Sequence, residues 1–403
     1  MHAPLEAVEV AADEVAHLGF AELGLEGNLI DALAKLGAEH PFPIQAVTVP
    51  EVLAGRDVLG RGRTGSGKTI AFGAPLVQRI AQSTTQPKGK GGKTYGRKPR
   101  ALILAPTREL AQQIDRTVQP LARAAGLYTV QIFGGVRQFK QVSALQRGVD
   151  IVIGTPGRIE DLIEQGHLDL SEVEITVLDE ADLMSEFGFL EPVQRIWRGC
   201  RPDGQRLLFS ATLDKQVDDL VTEFLREPFI AKMADEDQST ATIEHHVLVV
   251  EQRDKGEVLL ELASVPGPIL VFARTRAYAE RLADDLEDAG IKATSLHGNL
   301  TQARRTQNLA KLSSGRKQVL VATDVAARGI HLDDISLVVQ ADMPDDPKTY
   351  LHRAGRTGRA GRSGRVVTLI PRNRRRKLAH MLQTAEVSAE MTPVEPGGAV
   401  IWE

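Results

Sequence analysis

Eight consecutive residues, Gly62-Arg63-Thr64-Gly65-Ser66-Gly67-Lys68-Thr69, combine the types and spacing that hold a polyphosphate. Glycines let backbone N–H groups curl around phosphate oxygens, and a helix starting just after them adds partial positive charge. In the G-x-x-x-x-G-K-[ST] pattern, Lys68 reaches the β- and γ-phosphates and Thr69 gives its hydroxyl to Mg2+. Thr64, Gly65, Ser66 and Gly67 line the cradle. A second cluster, Asp179-Glu180-Ala181-Asp182, follows the apolar run Ile175-Thr176-Val177-Leu178. Asp179 suits a metal ion held through water, and Glu180 suits orienting and deprotonating an attacking water. Alone, an acidic tetrapeptide is a solvated turn or a helix cap. After a phosphate loop it reads as the second half of a nucleotide-hydrolysing site.

Both clusters need a scaffold that ends strands and starts helices along one edge. Short apolar runs supply it: Asp57-Val58-Leu59, ALILA (101–105), DIVIG (150–154), ITVLD (175–179) and RLLFS (206–210). A second set follows: PILVFA (268–273), ATSL (293–296), QVLVAT (318–323), SLVVQ (336–340) and VVTLI (366–370). Their nearly continuous apolar character is that of strands buried on both faces of a parallel sheet. Amphipathic stretches such as Leu110–Ala125 and Ala277–Ala289 are long enough to be crossover helices. The spacing predicts two α/β units, 1–233 and 243–403, joined by the polar linker ADEDQSTAT (234–242). The segment STTQPKGKGGKTYGRKPR (83–100) has almost nothing to bury and reads as a mobile basic insertion.

The composition fits this picture. A chain of 403 residues suits two domains, and 42% hydrophobic with 25% charged residues is an ordinary folded composition. No run of apolar residues is long enough to span a membrane. The acidic start lacks the basic and apolar regions of a secretory signal. A single cysteine, Cys200, excludes an internal disulfide framework and suits a reducing cytoplasm. The net charge of −4 offers no overall basic signal for nucleic acid, but the distribution differs from the average. Eleven Lys and Arg residues and no carboxylate lie between Asp346 and Glu386, whereas acids concentrate in the first 31 residues and along Asp169–Glu191.

With the phosphate loop and the acidic tetrapeptide in this order, the chain resembles the DEAD-box ATP-dependent RNA helicases over nearly its whole length. Phe20 and Gly37-Ala38-Glu39-His40-Pro41-Phe42-Pro43-Ile44-Gln45 are similar to the adenine-reading segment. There the resemblance implies that Phe20 stacks on the base, that His40 is part of the pocket and that Gln45 reads the adenine edge, for which its amide can both donate and accept. Pro106-Thr107-Arg108-Glu109-Leu110, Gly134-Gly135 and Thr155-Pro156-Gly157-Arg158 resemble the RNA-backbone contacts of the first domain. Read by themselves, PTREL is a helix start with Thr107 as cap, and TPGR is a turn. Ser210-Ala211-Thr212 resembles the segment that couples nucleotide to RNA. In the second domain Arg274 and Thr323 match RNA contacts, Asp324 a ribose contact, and His352 and Arg353 the coupling residues.

Arg353, Arg356 and Arg359 recur every three residues; on a helix they would share a face and repel one another unless an anion sat opposite. The resemblance makes Arg356 and Arg359 arginine fingers for the γ-phosphate. Two departures stand out: His331 where the family has Asp after Arg-Gly-Ile, and Asn299 where it often has Asp after His-Gly. Together these features imply two tandem RecA-like domains, ATP and Mg2+ as ligands, and an enzyme that closes on single-stranded RNA and melts short duplexes locally. An ATP-gated RNA clamp needs the same motifs. A DNA translocase on the same core is disfavoured by Gln45 in its PFPIQ setting. Backbone contacts carry no base code, so the RNA itself is not readable. The run Arg372–Lys377 is either an RNA-contacting extension or a solvated helix face.

Overall fold

The structure, a computed structural model, describes residues 8–10, 15, 17–62, 65–83, 96–233, 243–327, 332, 335–358 and 363–398. It divides into two compact units, Met1–Asp237 and Gln238–Glu403. Outside the described residues lie Arg63, Thr64, Arg359, His331, the linker 234–242 and positions 84–95 of the basic insertion.

The first unit holds eight parallel strands: β1 (Val8–Val10), β2 (Val58–Arg61), β3 (Ala101–Leu104), β4 (Thr129–Ile132), β5 (Ile151–Gly154), β6 (Ile175–Leu178), β7 (Gln205–Ser210) and β8 (Phe229–Met233). Their order is β1-β8-β2-β7-β6-β3-β5-β4. Every residue of β3, β5 and β6 is buried, because helices cover both faces and each face has its own apolar core. The helix Lys68–Gln82 is fixed to the sheet by Phe72, whose ring meets that of Phe209 on β7 at 5.3 Å. Gly60 faces Phe209 across the ladder, and a side chain on Gly60 would run into that ring. At the opposite edge of the sheet, buried Asp57 accepts from the Arg206 and Arg226 N–H groups at 2.8 and 2.7 Å. This carboxylate ties the starts of β2 and β7 together, so the loop leaving β2 has a fixed root.

The second unit holds seven parallel strands: β9 (Ile243–Val249), β10 (Ile269–Phe272), β11 (Ala293–Leu296), β12 (Val319–Ala322), β13 (Leu337–Gln340), β14 (Gly364–Ile370) and β15 (Glu390–Pro393). Their order is β11-β12-β10-β13-β14-β9-β15, again with a core on each face. On β9, His245 stacks on Tyr350 at 5.7 Å, and its Nδ1 lies 2.8 Å from the Tyr350 hydroxyl.

All ten apolar runs are strands. Five further strands, β1, β4, β8, β9 and β15, lack the continuous apolar signature. They occupy the outer positions of the two sheets, where one face is less covered; β4 alternates between half-buried and buried residues. The basic insertion is also less loose than expected at its end. Arg97 pairs with Asp150, Lys98 with Asp169 at 2.7 Å and Arg100 with Glu174 at 2.7 Å, so the approach to β3 is held by ion pairs. Cys200 is buried, and burial pushes its thiol up to about 12.

Candidate active site

The carboxyl ends of the strands in the first unit form two neighbouring groups. β2, β7 and β6 lead into the phosphate loop, Ser210-Ala211-Thr212 and Asp179-Glu180-Ala181-Asp182; β3, β5 and β4 lead into the PTREL, TPGR and GG segments. In open parallel sheets this edge is where ligands bind.

Gly65 and Gly67 adopt φ of 92° and 87°, a region that side chains rarely enter. At Gly67 the space is closed as well: a Cβ there would lie 2.6 Å from the Phe42 ring and still closer to the Gln45 amide. Gln45 is buried at the head of the helix Pro43–Leu53. Its Oε1 accepts from Phe42 N at 2.9 Å and its Nε2 donates to Gly67 O at 3.0 Å. The side chain expected to read adenine thus also clamps the phosphate loop, keeping one N–H and one lone pair in hand. Ser66 Oγ is buried with no hydrogen-bond partner, and Thr69 is half-buried.

Lys68 begins the helix and is buried. Its Nζ donates to Gly62 O at 2.9 Å and to Glu180 Oε1 at 3.0 Å. Burial alone would lower its pKa, but Glu180, Asp179 and Asp182 hold it above its ordinary value. Burial pushes the Asp179 carboxyl up to about 7 against the pull of Lys68. Glu180 sits at φ 52°, an uncommon left-handed conformation for a non-glycine residue, at the head of the helix Ala181–Glu186. Its N–H bonds Asp179 Oδ1 at 3.0 Å.

Asp182, to which the sequence assigned no role, is the link to Ser210 and Thr212. Its N–H donates to Ser210 Oγ at 3.1 Å, and its Oδ2 accepts from both N and Oγ1 of Thr212 at 3.1 Å. Ser210 Oγ in turn donates to Thr212 O at 2.6 Å. The signal was available: a carboxylate three residues after Asp179 and two hydroxyls after a neighbouring strand.

Phe20 requires a correction. It is 2% exposed, within the same apolar core as Leu23, Leu25 and Leu29, and presents no open face for a base. The exposed ring beside the loop is Phe42, at 54%, while His40 lies on the surface.

The second group converges through arginines. The Arg108 guanidinium lies against Gly135, where a side chain would collide with it, and Arg158 Nη1 donates to Val136 O at 3.4 Å. Thr107 caps its helix, accepting from Leu110 N at 3.2 Å, as expected. Pro106 and Pro156 are buried, whereas Gly134, Thr155 and Gly157 retain surface.

In the second unit Arg353 and Arg356 do not share a helix. The helix Pro347–Ala354 ends before Arg356, with Gly355 as its cap and Gly358 at φ 66°. Arg353 alone belongs to it, beside half-buried His352. Arg353 grips Asp324 with both arms, at 2.6 and 2.7 Å, donates to Asp342 O at 2.7 Å and lies over the Phe272 ring. Asp324 thus forms an internal ion pair while its side chain stays partly exposed. Arg356 Nε donates to His352 O at 3.3 Å. Thr323 is buried at the end of β12, and Arg274 pairs with Asp345 at 3.0 Å. The departure at Asn299 has a partner, accepting from Arg276 at 2.7 Å.

A glycine-rich loop after a strand, its lysine bonded to an acid at the end of the next strand but one, and a doubly covered parallel sheet define a phosphate-loop nucleotide-binding protein. Residues 42–220 match the model of the DEAD/DEAH box helicase family and residues 254–361 that of the helicase conserved C-terminal domain. The chain is 36% identical to the DEAD-box ATP-dependent RNA helicase CshA of Geobacillus kaustophilus over 92% of this chain and 77% of that one. It is 41% identical to the chloroplastic DEAD-box ATP-dependent RNA helicase 3A of Zea mays over 84% of this chain and 45% of that one. The chain thus spans about half the length of the maize relative. The solved structure of Dbp5 from S. cerevisiae bound to RNA and ADP BeF3 superposes with a TM-score of 0.79 at 29% identity, covering 93% of this chain and 95% of that one. The chain belongs to the DEAD-box helicase family, and its two units are RecA-like domains.

Proposed function

We propose that the chain is an ATP-dependent RNA helicase, an RNA-stimulated ATPase that binds single-stranded RNA and separates short duplexes locally. One observation carries the reading: the Lys68 amino group sits between the loop carbonyl of Gly62 and Glu180, inside an acid cluster bonded to Thr212. A γ-phosphate that takes over Lys68 leaves Glu180 able to accept a proton from water. Asp182, Ser210 and Thr212 then give the hydrolysing group a mechanical connection to the next strand. The RNA bound by Dbp5 supports the RNA half of the reading. Pro106, Thr107, Arg108, Gly134, Gly135, Thr155, Pro156, Gly157 and Arg158 would contact its backbone in the first unit, with Arg274 and Thr323 in the second.

The residues present fit Mg2+. Thr69 and Asp179 offer hard oxygen donors, and three buried carboxylates stand near a single lysine. Thr69 and Asp179 would hold the ion, the latter through water; when bound, it neutralises charge on the phosphates. Gln45, His40 and Asp324 are assigned to the nucleoside, Arg356 and Arg359 to the γ-phosphate, and His352 and Arg353 to coupling. In this reading residues 1–233 are the nucleotide-binding domain and 243–403 the second helicase domain. Among the described residues no helix is long and apolar enough to cross a membrane, and the buried, lone Cys200 supports a reducing, cytoplasmic setting.

The test compares ATP turnover with RNA and with DNA of equal length, then displacement of a short RNA duplex. RNA-specific stimulation with displacement is expected. Turnover indifferent to RNA overturns the reading, and stimulation without displacement replaces it by an ATP-gated RNA clamp.

A further inference from the structure

We propose that the second unit carries its own phosphate-binding pocket, at the place that the phosphate loop occupies in the first. The two sheets can be laid over one another strand by strand. Taken from its far end, the first runs β4-β5-β3-β6-β7-β2-β8, and the second runs β11-β12-β10-β13-β14-β9-β15. β9 therefore stands where β2 stands, and β13 where β6 stands. The helix after β2 begins with Lys68 and the helix Lys255–Ala263 after β9 begins with Lys255. Lys68 pairs with Glu180, two residues past β6, at 3.0 Å; Lys255 pairs with Asp342, two residues past β13, at 2.9 Å.

At this place the ends of β9, β10, β13 and β14 enclose a cavity of about 220 Å³. Four cations line it, Lys255, Arg274, Arg374 and Lys377, against two carboxylates, Asp342 and Asp345. The carboxylates are taken up by Lys255 and Arg274. Arg374 and Lys377, exposed where the last helix begins, have no ion-pair partner among the described residues. The cavity therefore has a surplus of two positive charges, and a guanidinium beside an ammonium matches a phosphoryl group in geometry and charge. Between β9 and its helix the chain reads Val250-Glu251-Gln252-Arg253-Asp254, without a glycine. No cradle of backbone N–H groups forms there, so the ligand is a single phosphoryl group held by side chains, not a nucleoside triphosphate. It is either free phosphate or a backbone phosphate of RNA, and the second source rests on the function proposed above.

The experiment titrates inorganic phosphate into the full chain saturated with ADP, for wild type and for the double substitution Arg374→Ala, Lys377→Ala, and measures single-stranded RNA binding against salt for both. Phosphate binding that the double substitution abolishes is expected. Weaker RNA binding in the variant, with the salt slope reduced by roughly 1.4 for two lost contacts, assigns the pocket to RNA. Superimposed RNA curves with lost phosphate binding assign it to the free anion. Phosphate binding that is absent or equal in both proteins, together with superimposed RNA curves, overturns the pocket. RNA-stimulated turnover of the wild type, run alongside, decides the helicase reading separately, because the phosphate titration does not depend on it.

Discussion

Glu180 is held by three constraints at once: a left-handed backbone, an N–H bonded to Asp179 and a carboxylate shared with Lys68. Such a residue has little freedom to move, which suits a base that must meet one water molecule. Glu180→Gln keeps the shape and removes the proton acceptor. ATP turnover should fall by at least about 100-fold while nucleotide affinity stays within a few-fold, because general-base contributions run to roughly 10²–10⁴. Near-normal RNA-stimulated turnover in that variant would remove Glu180 from the chemistry. At this scale the sequence brought out residues that the structure gathers around the phosphate loop and was weaker about what they touch. The phosphate loop and the acidic tetrapeptide are each a local pattern, although Lys68 and Glu180, 112 residues apart, meet only through the sheet. Gln45 bonding Gly67, Asp182 bonding Thr212 and Arg353 gripping Asp324 join positions 22, 30 and 29 residues apart, and such pairings depend on packing that no local pattern records. Phe20 was misread for the same reason: an aromatic in the right register says nothing of which way its neighbours turn it.

The helix carrying Lys68 is placed by the Phe72–Phe209 contact, so the loop inherits its position from the core. Phe209→Ala should destabilise the protein by about 3–5 kcal/mol, measured by denaturant unfolding, and should raise KM for ATP more than it lowers kcat. A variant with wild-type stability would mean that the helix has another anchor. On β9, burial lowers the pKa of His245 to about 4, with neighbouring His246 adding to the effect. The unfolded chain then binds more protons than the folded one between about pH 6.5 and 4. Stability from this site is present above that window and lost as the pH falls through it. His245→Phe keeps the stack on Tyr350 and should flatten the decline of the thermal midpoint; an unchanged slope would exclude His245 as its source. The central strands were legible because a strand buried on both faces must be apolar throughout. β4 and β9 were not, since outer strands keep polar residues on the less covered face.

Across the whole chain, the charge of −4 hides a basic stretch from Lys348 to Lys377 and acidic stretches elsewhere. RNA binding that uses this stretch releases counterions, so affinity should drop steeply as salt rises, in a plot of log affinity against log salt whose slope counts the phosphate contacts. A flat plot would leave the basic stretch without a part in binding. Two units with two sheets were readable because the apolar runs come in two sets separated by ADEDQSTAT. What charge and periodicity could not convey is that the second sheet repeats the strand order of the first, since strand order is settled by crossovers and not by composition. A last consequence follows from Cys200. Buried, with its thiol pushed up to about 12, it should not react with a maleimide or an aromatic disulfide at neutral pH until the fold opens. Prompt labelling of the native protein would contradict its burial. Toward thiol chemistry the native molecule is therefore blank, and fluorophores attached to cysteines introduced at exposed positions, one in each unit, would report on domain motion in an otherwise unaltered chain.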